Sequence, residues 1–202
     1  MPNIFDKAIA YLQDRFQAEP CAFCVDISLM IGREHIVEAA QLLRDEYSFD
    51  MLADITASDY WPDLAPHGKP TEVGRPRFHV VYNFSSIPMV KSTGVDLTGN
   101  PVNLTGKPPI RLCLRVPVDD DSPQIPSVEG VYPCANWFER EIWDMFGIRF
   151  EGHSDLRRLL MPRDWEGHPL RKDFPLGYEE PQFTFNFDDI ARRKPRAEKE
   201  QG

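Results

Sequence analysis

The residue types best suited to chemistry gather in one stretch, EGHSDLRRLLMPRDWEGHPLRKDFPL, residues 151–176. Glu151-Gly152-His153 returns as Glu166-Gly167-His168, and a basic pair follows each copy, Arg157-Arg158 and Arg171-Lys172. Two histidines with Asp155 or Asp173 as a third ligand would make a metal site, and a free-standing metal-dependent enzyme using His153 and His168 is one reading. The spacing argues against it. The two histidines fit no standard finger or hydrolase pattern, and neither sits in the H-E-x-x-H arrangement that sets two ligands on one helical face. Each follows a glycine, which suits a turn whose histidine bonds to backbone or carboxylate. The stretch is therefore either an active site or a charged surface that another protein must bury.

The other chemical signals are weaker. Cys21 and Cys24 form a C-x-x-C, but it precedes a strand-like run rather than joining strand to helix, and no second close pair accompanies it. Two small buried thiols are the expectation. No G-x-G-x-x-G fingerprint and no G-x-x-x-x-G-K-[ST] loop is present. Glu139 and Glu141 could have raised pKa values and do acid–base work. Without an evident nucleophile or phosphate loop, structural salt bridging is the better reading. No catalytic, cofactor-binding or metal-ligating residue is assigned, and the residues point to a binding or assembly subunit.

The elements that must position this stretch come before it. Ile4, Ala8, Leu12 and Phe16 recur at helical spacing over residues 4–17, and Pro20 ends that helix. Cys21 to Ile31 reads as a strand, 33–46 as a second helix, and Phe49 to Ile55 and Phe78 to Phe84 as further strands. Ile110 to Val116 alternates apolar and polar residues, the mark of a strand with one wet face. Loops are expected at 62–76 and 88–109. A helix then follows Pro133, broadly apolar through Phe138, Ile142, Trp143, Met145 and Phe146, with Gly147 as its stop. Glu139 and Glu141 fall inside or beside its apolar arc, whereas Arg140 and Asp144 form a polar stripe. Beyond Phe150, prolines at 162, 169, 175 and 181 break any long helix. One helical turn at Asp155 to Leu160 is the most that fits.

The fold class expected is α+β: N-terminal helices packed on a small mixed or antiparallel sheet, then a buried helix and an extended C-terminal docking segment. Residues 1–150 form the globular domain, 151–180 the docking segment and 181–202 a polar tail. The formal net charge of −9 argues against nucleic acid as a partner. The 19 prolines in 202 residues, about 9% against a usual value near 5%, mark loop-rich structure after residue 60. No signal segment or bilayer-length apolar run is seen, and a soluble protein of a reducing compartment is expected.

One string of residues adds a resemblance. Glu139-Arg140-Glu141-Ile142-Trp143-Asp144-Met145-Phe146-Gly147, then Gly152-His153, Asp155-Leu156-Arg157-Arg158 and Glu166-Gly167-His168-Pro169-Leu170-Arg171-Lys172-Asp173-Phe174-Pro175-Leu176, resembles a known signature. It is that of the thirty-kilodalton subunit, also called the C subunit, of respiratory NADH:quinone oxidoreductase, complex I. The resemblance implies a non-catalytic peripheral-arm subunit of a proton-translocating enzyme. It would bind the forty-nine-kilodalton quinone-site subunit and neighbour iron–sulfur subunits. FMN and iron–sulfur clusters would be carried by other subunits, with no cofactor on this chain. Membrane association would be indirect, on the cytoplasmic side of a bacterial inner membrane. Sibling complexes, namely the photosynthetic enzyme, F420-linked dehydrogenases and membrane-bound hydrogenases, remain alternatives.

In this reading Glu139, Arg140, Glu141, Asp144, His153, Asp155, Arg157, Arg158, His168, Arg171, Lys172 and Asp173 serve subunit docking and internal salt bridges. Glu139 and Glu141 are expected to pair with bases among Arg157, Arg158, Arg171 and Lys172.

Overall fold

The apolar, β-branched and aromatic runs around residues 80 and 114 form two neighbouring nine-residue strands inside the sheet of the computed structural model. It describes residues 4–21, 27–61, 76–86 and 110–175. In chain order the elements are α1 (Ile4–Phe16), β1 (Glu19–Pro20), β2 (Ser28–Met30), a 3₁₀ turn (Arg33–His35), α2 (Ile36–Tyr47), β3 (Met51–Asp59), β4 (Phe78–Ser86), β5 (Ile110–Val118), β6 (Gln124–Pro126), α3 (Ala135–Phe146) and β7 (Arg149–Glu151). Five strands make one sheet in the order β1-β2-β5-β4-β3. The pairing of β2 with β5 is parallel and the rest antiparallel, so the sheet is mixed. This is the α+β architecture expected.

Alternation sets the core. Phe78, Val80, Tyr82 and Phe84 of β4 lie beside Val118, Val116, Leu114 and Leu112 of β5 in register, and all eight are buried. Ala8, Leu12 and Phe16 of α1 and Ile36, Ala39, Ala40 and Leu43 of α2 join the same apolar cluster, with Ala135 and Ile142 of α3. Burial of each such side chain stabilises the fold by roughly 1.5–3 kcal/mol. Tyr132, just before α3, is buried and donates its hydroxyl to the Phe49 carbonyl at 2.7 Å, tying the approach to α3 to the end of α2.

Several boundaries differ from the sequence reading. The strand expected over 21–31 is three residues, Ser28–Met30, and residues 22–26, including Cys24, lie outside the described residues. Pro20 sits in a short edge strand beyond the helix it was expected to end. The expected loop at 88–109, most of that at 62–76 and the whole 181–202 tail lie outside the described residues. The parallel pair β6–β7 was not anticipated. Asp155 to Leu160 forms no helical turn. The N–H groups at the end of that segment point at Asp144 instead.

Candidate docking surface

Residues 152–175 lie along α3 as an extended strap, and the two Gly-His turns grip it near opposite ends. The ring of His153 donates from Nε2 to the Asn136 carbonyl at 3.1 Å, and its Nδ1 accepts the Asp155 N–H at 3.0 Å. His168 donates from Nδ1 to the Asp144 carbonyl at 3.0 Å. Both nitrogens of His153 are thus engaged with backbone.

The end of α3 explains why the second turn sits there. A helix leaves its last four carbonyls without intrahelical donors. Gly147, at φ 77°, returns its N–H to the Trp143 carbonyl, His168 takes that of Asp144, and the Leu170 N–H takes that of Met145 at 3.0 Å. The strap is the helix's C-cap. Glycine is required at 147 twice over: its φ is left-handed, and a Cβ would lie 2.6 Å from the His168 ring.

Between the two grips, Asp144 anchors the middle of the strap. Its buried carboxylate accepts the consecutive N–H groups of Leu159, Leu160 and Met161 at 2.9, 2.7 and 2.9 Å, and pairs with Arg158 at 2.6 Å. Successive N–H groups turned on one oxygen form an anion-binding nest. Burial raises the Asp144 pKa, but the three N–H donors and the guanidinium outweigh it, and the carboxyl stays below its usual range. Arg158 also donates to the carbonyls of Trp165 and Gly167, so one side chain joins helix, mid-strap and second turn.

At the first turn, Glu129 accepts the N–H and hydroxyl of Ser154 and the amide of Asn136, which lowers its pKa to about 2. At the far end, Arg77 reaches from the start of β4 to three carboxylates. It grips Asp59 through two bonds at 3.0 Å each, Asp120 at 3.0 Å and Asp173 at 2.7 Å. The Lys172 N–H adds a bond to Asp59 at 2.8 Å, and Arg171 pairs with Asp120 at 3.1 Å and Asp173 at 3.5 Å. Desolvation lowers the Arg77 pKa, but the three carboxylates reverse this and hold the guanidinium above its ordinary value.

The expected pairing of the two glutamates fails. Glu139 is fully buried, yet it pairs with none of the four expected bases; it accepts the Ser127 hydroxyl at 2.6 Å and the Val128 N–H at 2.8 Å. Burial dominates these bonds and raises its pKa to about 7. Glu141 is exposed on α3. The bases expected for them go elsewhere: Arg158 to Asp144, Arg157 to Asp155, Arg171 to Asp120 and Asp173. Arg140 and Asp144 are buried rather than on a wet stripe, because the strap covers them. Arg77, Asp59, Asp120 and Glu129 escaped the sequence reading, because the strap residues that they hold lie 25 to 113 residues away, too far for local spacing to reveal.

Large apolar side chains are exposed on and beside the strap: Trp137, Leu160, Trp165 and Leu170 at 59, 61, 40 and 54%. No helix among the described residues is long and apolar enough to cross a membrane.

This α+β core is shared with two solved chains. The Nqo5 trypsin-resistant fragment (1-134) is 29% identical with a TM-score of 0.52, over 76% of this chain and 96% of that one. A chain of the membrane-bound sulfane sulfur reductase, an archaeal respiratory membrane complex, shares the fold at a TM-score of 0.57 and 22% identity, over 85% of each chain. The family model described as respiratory-chain NADH dehydrogenase, 30 Kd subunit, matches residues 29–180, and the chain belongs to that family. Among its relatives, the NADH-quinone oxidoreductase C subunit of Roseiflexus sp. (strain RS-1) is 43% identical over 85% of this chain and 83% of that protein. The corresponding protein of Roseiflexus castenholzii is 41% identical over 97% and 96%.

Proposed function

We propose that this chain is a non-catalytic peripheral-arm subunit of a proton-translocating NADH:quinone oxidoreductase, scaffolding the quinone-end module by binding the forty-nine-kilodalton subunit. The described residues before 152 provide the body, and the strap over 152–175 provides the docking face. FMN and the iron–sulfur clusters belong to other subunits, and the complex sits on the cytoplasmic side of a bacterial membrane, to which this chain attaches indirectly.

The observation that carries the reading is the strap itself. It is pinned to the core at three places by buried ions and backbone bonds, yet it turns Leu160, Trp165 and Leu170 outward. Exposed apolar groups on a rigid surface rimmed by charge mark an interface. Leu160→Glu tests it. The isolated chain should melt unchanged, while the amount of assembled enzyme falls and turnover per assembled complex holds. Normal assembly with impaired turnover would refute the scaffold role.

A further inference from the structure

Beside the grip of Asp144 on Arg158 lies an open cavity of about 560 Å³, lined by Arg140, Trp143, Leu156, Arg157, Arg158 and Arg163. Four of its six lining residues are arginines, in a chain whose formal charge is −9. Two of them are answered from within: Arg158 by Asp144 and Arg157 by Asp155. Among the described residues, Arg140 and Arg163 have no carboxylate partner. Arg140 is the informative one. It is only 7% exposed, and its hydrogen bonds run to the carbonyls of Arg157 and Arg158 at 3.3 and 3.4 Å. A buried cation held by two long carbonyl bonds is an incomplete arrangement, since burial of charge demands a close counter-ion.

The walls indicate what completes it. Trp143 and Leu156 give one side of the cavity an apolar surface, and Trp137, over which the Arg140 guanidinium stacks at 5.0 Å, is exposed next to it. A carboxylate carried on a hydrocarbon stem fits both halves, and guanidinium forks match carboxylates in paired hydrogen bonds. We propose that this cavity receives an aspartate or glutamate side chain from an acidic segment of the partner subunit. The proposal rests on the docking reading above and adds the chemistry of its contact. A phosphate group would satisfy the charges but not the apolar wall.

The test uses the assembled complex from membranes of a host that carries this chain as its only copy of the subunit. A photo-crosslinking p-azidophenylalanine at position 163 should link to a partner-subunit peptide containing Asp or Glu. Linkage to lipid, or to this chain's own residues 176–202, would overturn the proposal. In parallel, Arg163→Glu, at an exposed position, should release the chain from the complex at lower salt than wild type. Arg140→Met should raise the release rate roughly 30-fold or more, with Arg140→Lys restoring part of it. Unchanged release in both Arg163→Glu and Arg140→Met would also overturn it. If wild-type chain stays in the complex while these variants behave alike, the cavity proposal alone fails. If wild type never enters the complex, the docking reading fails with it.

Discussion

Asp144 and Arg158 meet at 2.6 Å beneath the strap, and the carboxylate is wholly inaccessible to solvent while the guanidinium reaches on to the Trp165 and Gly167 carbonyls. The pair converts an extended, proline-rich segment into a fixed surface. Backbone that forms no ladder or helix of its own has its N–H groups satisfied by a side chain of α3.

Asp144→Asn should therefore cost about 3–5 kcal/mol, because it strands the Arg158 charge and weakens three N–H bonds at once. Urea unfolding of the isolated chain measures it. The wild-type carboxyl has a folded pKa below its unfolded value of ~3.9. Its contribution is thus present above that value and lost as pH falls through the folded pKa. The acid limb of the stability curve should flatten in Asp144→Asn.

Glu139 predicts the opposite slope. Its folded pKa of about 7 lies above the unfolded value of ~4.3. Its stabilisation is full below about pH 4.3 and is lost as pH rises through 7, a change of about 3–4 kcal/mol. Glu139→Gln, which mimics the protonated acid, should remove that slope and leave the chain at least as stable as wild type at pH 8. Thermal melts across pH 4–8 check it.

Gly147→Ala forces a side chain into a left-handed conformation and against the His168 ring. The backbone strain alone is roughly 1–2 kcal/mol, and displacement of His168 should open the second turn. Hydrogen exchange at Leu170, whose N–H caps Met145, should quicken in this variant while β4 and β5 stay protected.

Arg77→Lys keeps the charge but loses the fork that spans Asp59, Asp120 and Asp173. The strap end at residues 171–175 should become sensitive to limited proteolysis. Arg171→Glu, which sets a third negative charge beside Asp120 and Asp173, should loosen the same end and lower the yield of assembled enzyme.

The legible parts of the fold were those in which one local pattern decides the outcome. Period-two alternation located β5, and a wide apolar arc followed by Gly147 located α3. The short strands β6 and β7 carried no such pattern, because they exist only through pairing with each other across the intervening α3. The site was read at the level of residue type, and its contacts were misassigned. Helical spacing put Asp144 on a polar stripe and Glu139 in an apolar arc, and it left the strap out of the geometry. Once the strap lies over α3, the polar stripe becomes interior and draws the arginine, while Glu139 is satisfied by Ser127 and Val128. Arg77 was invisible for a related reason: its partners are 18, 43 and 96 residues away.

The most direct measurement is native electrophoresis of mildly solubilised membranes from the source cell, with NADH oxidation stained in the gel and this chain located by antibody. Scaffolding within an NADH:quinone oxidoreductase predicts that the chain runs in a large band that oxidises NADH. Its presence in a large band inert to NADH would assign it to a complex with another donor. Its absence from every large band would contradict the docking role of the strap.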